Sequence, residues 1–129
     1  MADRRMISKK LILSDSFDTL ADKAKLLYFR LIIEADDDGF VGGLRHILSA
    51  AGVNKRSLEA LCDKGFAILF NSGVVVVRHW KIHNRVPKDR YNPTMYIAER
   101  EQLTLDESGA YVLSIDSEEA MRRFLNTNR

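Results

Sequence analysis

Apolar residues recur at helical spacing between residues 17 and 35. The positions on one face are Ala24, Leu27, Tyr28, Leu31 and Ile32, with Leu26, Phe29 and Ile33 widening the same stripe. A helix with so broad an apolar face is expected at the centre of the core. Asp18 or Asp22 is its predicted N-cap, and the glycines of DDDGFVGG end it.

Two short amphipathic helices and a β-hairpin are predicted next. One helix covers residues 44–51 and stops at Gly52. The other starts at Asn54, a favourable N-cap, and ends at Gly65. The apolar runs FAILF and VVVVRHWKI, separated by NSG, then predict the two strands of the hairpin.

The second strand is expected to run from Val74 through Ile82, so its side chains should alternate between two faces. Trp80 and Ile82 fall on one face, where Trp80 seals the core. Arg78 shares that face, so it must reach out to solvent or a bulge must shift the register. The opposite face carries His79, Lys81 and His83. Residues 84–96, which contain both prolines, are predicted to be irregular.

Three helices followed by a hairpin are the element order of a winged helix. The predicted fold class is therefore α+β: a winged helix-turn-helix over residues 1–100 and an extension over residues 101–129, packed on the same domain. The extension should contain a second, weaker hairpin that turns at residues 106–109. A last amphipathic helix should follow, with Ser117 as its cap.

The middle helix pair fits the helix-turn-helix pattern when Gly52 occupies the turn, which needs a residue that tolerates positive φ. The inward positions are then all apolar: Ile47, Leu48, Ala51, Val53, Leu58 and Leu61. The outward positions of the second helix are Asn54, Lys55, Arg56, Ser57, Glu59, Ala60, Asp63 and Lys64.

Composition is that of an ordinary globular protein, with 46% hydrophobic and 29% charged residues among 129. No run approaches the ~20 apolar residues of a membrane span, and the start has no apolar core of signal-peptide length. A cytoplasmic protein without a membrane partner is expected. The single cysteine excludes an internal disulfide.

Charge is distributed unevenly along the chain. Residues 41–100 carry ten basic and four acidic side chains, a net charge of +6, whereas residues 31–40 carry four acidic and no basic ones. Residues 101–129 carry three basic and six acidic side chains. A basic middle between acidic flanks is typical of a nucleic-acid surface, and it also fits an ordinary mixed surface.

The candidate DNA contacts are polar or basic side chains on the second helix, in the hairpin turn and in the run after the hairpin. They are Asn54, Lys55, Arg56, Ser57, Lys64, Asn71, Ser72, Lys81, Arg85, Lys88 and Arg90. Lysine and arginine reach phosphates or guanine edges, and asparagine reaches adenine. Tyr91 and Tyr96 add rings that either stack on bases or pack on the core.

No catalytic or metal-binding motif emerges, so neither an enzyme nor a cofactor is expected. His79 and His83 would lie about 13 Å apart on a strand, too far for one zinc ion. The DDDG string at residues 36–39 lacks the later ligands of a calcium loop and is predicted to be an acidic turn at a helix end. Cys62 lies among leucines and is predicted to be a small core residue.

Several strings carry a resemblance to a known family. ADDDGFV and HWKIHN followed by KDRY, within residues 3–100, are similar to the N-terminal region of bacteriophage replisome organisers and DnaD-like replication proteins. The resemblance implies an oligomeric winged-helix domain that binds double-stranded DNA and helps to load a replicative helicase. Two other functions stay open: a winged-helix transcriptional repressor, and an oligomerisation or protein-interaction module without strong DNA binding.

Overall fold

The computed structural model describes residues 3–114, which form seven helices and five strands. The helices are α1 (Lys9–Ile12), α2 (Asp15–Asp18), α3 (Asp22–Glu34), α4 (Leu44–Ala51), α5 (Lys55–Asp63), α6 (Trp80–His83) and α7 (Ile97–Glu101). The strands are β1 (Phe40–Val41), β2 (Ala67–Leu69), β3 (Val75–Val77), β4 (Leu103–Leu105) and β5 (Tyr111–Leu113). The predicted α+β class is confirmed. The last predicted helix, with Ser117, lies outside the described residues.

The first predicted helix is two helices. Ser14 caps α2, because its hydroxyl accepts a hydrogen bond from the Phe17 N–H at 3.2 Å. Ala21 is extended and forms the N-cap of α3 without a side-chain hydrogen bond. The prediction of Asp18 or Asp22 as N-cap is wrong, since Asp18 ends α2 and Asp22 is already inside α3.

One face of α3 is the centre of the core, as predicted. Its buried residues are Ala24, Leu27, Tyr28, Leu31 and Ile32. The widening of the stripe is wrong at two positions, because Leu26 is 52% exposed and Ile33 is 63% exposed. At about 100° per residue, both lie on the side of the helix opposite the buried face. Phe29, between the two faces, packs its ring 5.8 Å from that of Phe17.

The turn between α4 and α5 depends on Gly52, which has the predicted positive φ of 70°. Beyond it, the Val53 N–H returns to the Leu48 carbonyl at 3.0 Å and closes the helix end. Among the predicted inward positions, Ile47, Leu58 and Leu61 are buried. Leu48 and Val53 are partly buried against the same core cluster, and Ala51 is half-buried.

The predicted hairpin of β2 and β3 is confirmed, and a third strand joins it. β3 is central in the order β1–β3–β2, with antiparallel pairing on both sides. This position explains why Val75–Val77 are fully buried. The short strand β1 was not predicted from the sequence.

The chain after β3 does not continue as a strand, contrary to the prediction. β1 pairs no residue beyond Val76 and β2 none beyond Val77, and the backbone of Arg78 bonds to Phe66 and Tyr111 outside the ladder. Residues 80–83 instead form α6. Trp80 is a core residue as predicted, 1% exposed, and its Nε1–H donates to the Asp37 carbonyl at 2.9 Å. Because residues 80–83 are helical, the expected alternation of side chains from Val74 through Ile82 is wrong beyond β3.

The side chain of Arg78 is 29% exposed, and its polar atoms bond to the protein. Its guanidinium donates to the carbonyls of Gly65 and Tyr111 and pairs with Asp106 at 3.4 Å. These contacts join the first hairpin to the second hairpin, β4–β5, which turns at residues 106–109 as predicted. Tyr111 belongs to the same hydrophobic cluster as β3.

None of the helices within residues 3–114 is both long and apolar enough to cross a membrane.

Candidate nucleic-acid interface

The N-terminus of α5 presents two cations to solvent. Asn54 caps the helix, with its Oδ1 accepting a hydrogen bond from the Arg56 N–H at 3.0 Å. The side-chain NH₂ group of Asn54 is therefore the part that remains for a base edge. Lys55 and Arg56 follow in the first turn, and both are exposed. This end of α5 combines positive side chains with the positive end of the helix dipole, which favours a phosphate.

The other candidates on α5 do not join this group. Ser57 was predicted on the outward face, but it is only 7% exposed, so it is withdrawn as a DNA contact. Its position in the first turn places it beside the buried Leu58 and against the core. Lys64 is exposed at the opposite end of the nine-residue helix, about 13 Å along the axis from Lys55.

The turn between β2 and β3 holds Asn71 and Ser72, both exposed. The Ser72 hydroxyl is already engaged, since it donates to the Glu99 carboxylate at 3.0 Å. That hydrogen bond ties the turn to α7, which contains Glu99. Asn71 is therefore the freer of the two for a contact with DNA.

The acidic turn at residues 36–38 anchors the basic loop at residues 84–96. The Tyr91 hydroxyl lies 2.8 and 2.7 Å from the two carboxylate oxygens of Asp38, and the Thr94 N–H donates to the same carboxylate at 2.8 Å. The Thr94 hydroxyl donates to Asp36, whose other oxygen accepts from the N–H groups of Asp38 and Phe40. Both carboxylates are thus occupied by the chain itself.

The third carboxylate of the turn, Asp37, binds the N-terminal segment. It forms a buried ion pair with Arg5 at 3.0 Å and accepts from the Asn92 N–H at 3.0 Å. Burial raises the pKa of Asp37, but the hydrogen bonds from Asn92 and Arg5 outweigh it and leave the pKa below its usual value. Arg5 also lies over the Trp80 ring at 5.1 Å. Within residues 3–114, no group of His, Cys, Asp and Glu side chains could hold a metal ion.

Asn84 and His83 hold the next part of the N-terminal segment. Asn84 forms two hydrogen bonds with the backbone of Met6, one through each end of its side-chain amide. The Ser8 N–H donates to Nδ1 of His83 at 2.8 Å, so that nitrogen carries no proton. The ring proton then lies on Nε2, 2.6 Å from the Tyr28 hydroxyl oxygen. Burial, with a smaller effect of His79, lowers the pKa of His83 to about 4.

Two adjoining clefts lie beside this anchored loop. The first, about 690 Å³, lies between the N-terminal segment and residues 84–92. The second, about 640 Å³, lies between α6 and the turn of the second hairpin. Both are lined by Asn84, Arg85, Val86 and Tyr91.

The structure brings some of the predicted residues together and leaves others apart. Lys81 and Arg85 line the second cleft, and Arg85 and Arg90 line the first. Lys88 is exposed on the same loop and lines neither cleft. No hydrogen bond or ion pair in the described part of the chain links α5 to residues 84–92.

Sequence reasoning missed Arg4, which lines the first cleft and is exposed. The arginine pair at residues 4 and 5 was visible in the sequence, but its distance from the loop, about 80 residues, gave no local signal.

No protein-family model matches this chain, and neither the curated proteins nor the solved structures include a significantly similar one.

Proposed function

We propose that this chain is a winged-helix protein that binds double-stranded DNA in phage or mobile-element replication, at an origin or as an accessory of helicase loading. The main support for DNA binding is the pair of exposed basic residues, Lys55 and Arg56, at the start of α5. The element order supports the fold assignment, since α3, α4 and α5 are followed by the β2–β3 hairpin, with β1 paired on β3. The replication context rests on the resemblance of the ADDDGFV and KDRY strings.

In this proposal, the first turn of α5 enters the major groove. Lys55 and Arg56 contact phosphates or guanine edges, and the NH₂ group of Asn54 donates to a base. Glu59 and Asp63 are exposed further along α5, so phosphate contacts concentrate at its N-terminal end. Asn71 in the hairpin turn supplies a polar contact at the edge of the interface.

Lys88 and Arg90 add sequence-independent affinity for the phosphate backbone. Both are exposed on a loop that Asp38 holds in place through Tyr91 and Thr94. A held loop loses little conformational freedom on binding, which favours its contribution to affinity. A homo-oligomer and a replicative helicase or its loader are the protein partners that the family resemblance implies.

One observation favours the alternative of a protein-interaction module. Leu26 and Ile33 form an exposed apolar stripe on the outer side of α3, where a polar surface would be expected of a free helix. A module of this kind would give stable oligomers in light scattering but bind duplex DNA no more tightly than about 0.1 mM, the weak end of non-specific binding. A repressor would instead bind one palindromic operator as a tight dimer.

The proposal is tested by fluorescence anisotropy with a labelled random duplex. Lys55→Ala combined with Arg56→Ala is expected to weaken binding about tenfold or more, because each lost phosphate contact removes a counterion-release contribution. Lys9→Ala with Lys10→Ala is the matched control, since both lysines are exposed on α1 and the charge change is the same. Equal weakening by the two double variants would show that only net charge matters and would reject α5 as the contact.

A further inference from the structure

The two clefts adjoin along Asn84, Arg85, Val86 and Tyr91, which line both, and together they are called the groove. With volumes of about 690 and 640 Å³, each part is within the range of small-ligand and cofactor sites. A B-form duplex keeps its bases stacked inside, so a single strand is the form of nucleic acid that presents a base to a side chain on this surface.

The groove carries more positive than negative charge. Arg4, Arg85 and Arg90 line its first part, where Asp3 and Asp89 oppose them, and Lys81 lines the second. Asp37 also lines the second part, but its charge is offset by the ion pair with Arg5. Within residues 3–114, Arg4 and Arg85 form no ion pair, so their guanidinium groups can accept a ligand phosphate.

Tyr91 provides a fixed aromatic ring between the two parts of the groove. Its hydroxyl is bound to both oxygens of Asp38, at 2.8 and 2.7 Å, which sets the orientation of the ring. The residue is nevertheless 40% exposed. A ring that is held from its hydroxyl end and open to solvent is suited to stacking on a nucleic-acid base.

The walls of the groove are preformed. Arg5 is tied to Asp37, Met6 to Asn84, and Ser8 to His83, so the N-terminal segment is fixed against the loop by contacts between elements distant in sequence. A preformed groove binds its ligand without first ordering its own chain, which lowers the entropic cost of binding.

We propose that this groove binds single-stranded nucleic acid, with phosphates on Arg4, Arg85 and Lys81 and an unpaired base on the Tyr91 ring. This ligand differs from the duplex assigned to α5 in that its bases are unpaired. None of the four groove residues, Arg4, Lys81, Arg85 and Tyr91, belongs to α5. The inference therefore goes beyond the proposed function and does not rest on it.

The test uses anisotropy with labelled oligothymidine and oligouridine of about 15 nucleotides, a length that covers typical single-strand sites. Arg4→Glu with Arg85→Glu is expected to weaken binding of the preferred oligomer about tenfold or more at physiological salt. The matched control, Lys9→Glu with Lys10→Glu, makes the same charge change at exposed residues that line neither part of the groove, and it should change oligomer binding by no more than about twofold. The comparison of the two oligomers shows whether the groove takes DNA or RNA.

The outcomes separate this inference from the duplex proposal. Lys55→Ala with Arg56→Ala should leave oligomer binding unchanged, while the groove variant should weaken binding of the oligomer more than binding of the duplex, because Lys88 and Arg90 are retained. A wild-type protein that binds the oligomer but not the duplex would overturn the α5 proposal and leave the groove proposal standing. Oligomer binding weaker than about 0.1 mM in the wild type, or the same affinity in the groove variant, would overturn the groove.

The stacking role of Tyr91 has its own pair of variants. Tyr91→Phe keeps the ring and Tyr91→Leu removes it, and both lose the hydrogen bonds to Asp38, so they share any structural effect of that loss. Oligomer affinity is expected to fall several-fold more for the leucine variant. Trp80, the only tryptophan, lines the second part of the groove, so its emission reports occupancy and folding in the same sample. Equal affinities of two folded variants would overturn the stacking role.

Discussion

Protonation of His83 should release the N-terminal segment and destabilise the fold. The Ser8 N–H donates to Nδ1 of His83, and Nε2 lies 2.6 Å from the Tyr28 hydroxyl. A proton on Nδ1 would face the Ser8 N–H and remove that hydrogen bond. The buried ring also loses more hydration when charged than when neutral. The neutral ring is thus the form that the fold requires.

The magnitude follows from the pKa of His83, which burial lowers from 6.5 to about 4. Between these values the unfolded chain binds a proton that the folded chain does not, so stability is lost as the pH falls from about 6.5 towards 4. The full loss is about 3 kcal/mol, and about 2 kcal/mol of it should be reached at about pH 5.

The assay is urea unfolding followed by Trp80 emission at several pH values, for the wild type and His83→Gln. The variant cannot titrate at this position, so its stability should vary less with pH over this range. Burial and then Arg78 also lower the pKa of His79, so its protonation destabilises the fold over the same pH range. The free energy of unfolding of the variant should therefore still depend weakly on pH. The pKa values of Asp37 and Asp106 are lowered, so these carboxylates change the stability mainly below their usual pKa of 3.8. Equal pH dependence in both proteins would refute this account of His83.

Two further predictions concern the acidic turn. Gly39 has a φ of 92°, and a Cβ there would lie 2.5 Å from Cγ of Trp80, whereas Gly52 has a φ of 70° and open space around it. Urea unfolding should therefore show a loss of about 1–2 kcal/mol for Gly52→Ala and about 1–3 kcal/mol more for Gly39→Ala; equal losses would contradict the packing of Trp80 on this turn. Tyr91→Phe should cost about 1–3 kcal/mol, because the buried Asp38 loses its hydroxyl donor, and an unchanged unfolding midpoint would contradict that role.

The spacing of apolar residues predicted those helices and strands whose buried residues follow the period of the element itself. It identified the buried face of α3 and the strand β3, because the core contacts of each follow its own period. It failed for Leu26 and Ile33, because the widened stripe departed from the helical period, which at about 100° per residue places both on the side opposite the buried face. The exposed fraction depends on what packs there, which the local sequence does not contain.

The features that position the candidate site come from contacts between distant residues. β1 exists because Phe40 and Val41 pair with β3, and α6 forms where that sheet runs out of partners. The hydrogen bonds from Tyr91 and Thr94 to Asp38 span more than 50 residues. Periodicity and propensity are local quantities, so the sequence showed an acidic turn and a basic loop but not that one holds the other.

The exposure of the candidate contact residues was predicted correctly for Lys55 and Arg56 but not for Ser57. Lys55 and Arg56 are exposed as expected, because polar residues at the start of an amphipathic helix face solvent. Ser57 is buried although it was predicted to face outward, since a small side chain is tolerated at the border of an apolar face. Arg4 was missed because the N-terminal segment is placed by His83 and Asn84.

The central claim, duplex binding by the first turn of α5, is tested most directly by the salt dependence of affinity. The logarithm of the binding constant should fall linearly with the logarithm of salt concentration, by about 0.9 for each phosphate contact. Lys55→Ala with Arg56→Ala should make that slope shallower by about one unit per lost contact, while Lys9→Ala with Lys10→Ala leaves it as in the wild type. An unchanged slope in the α5 variant, at any affinity, would contradict the account.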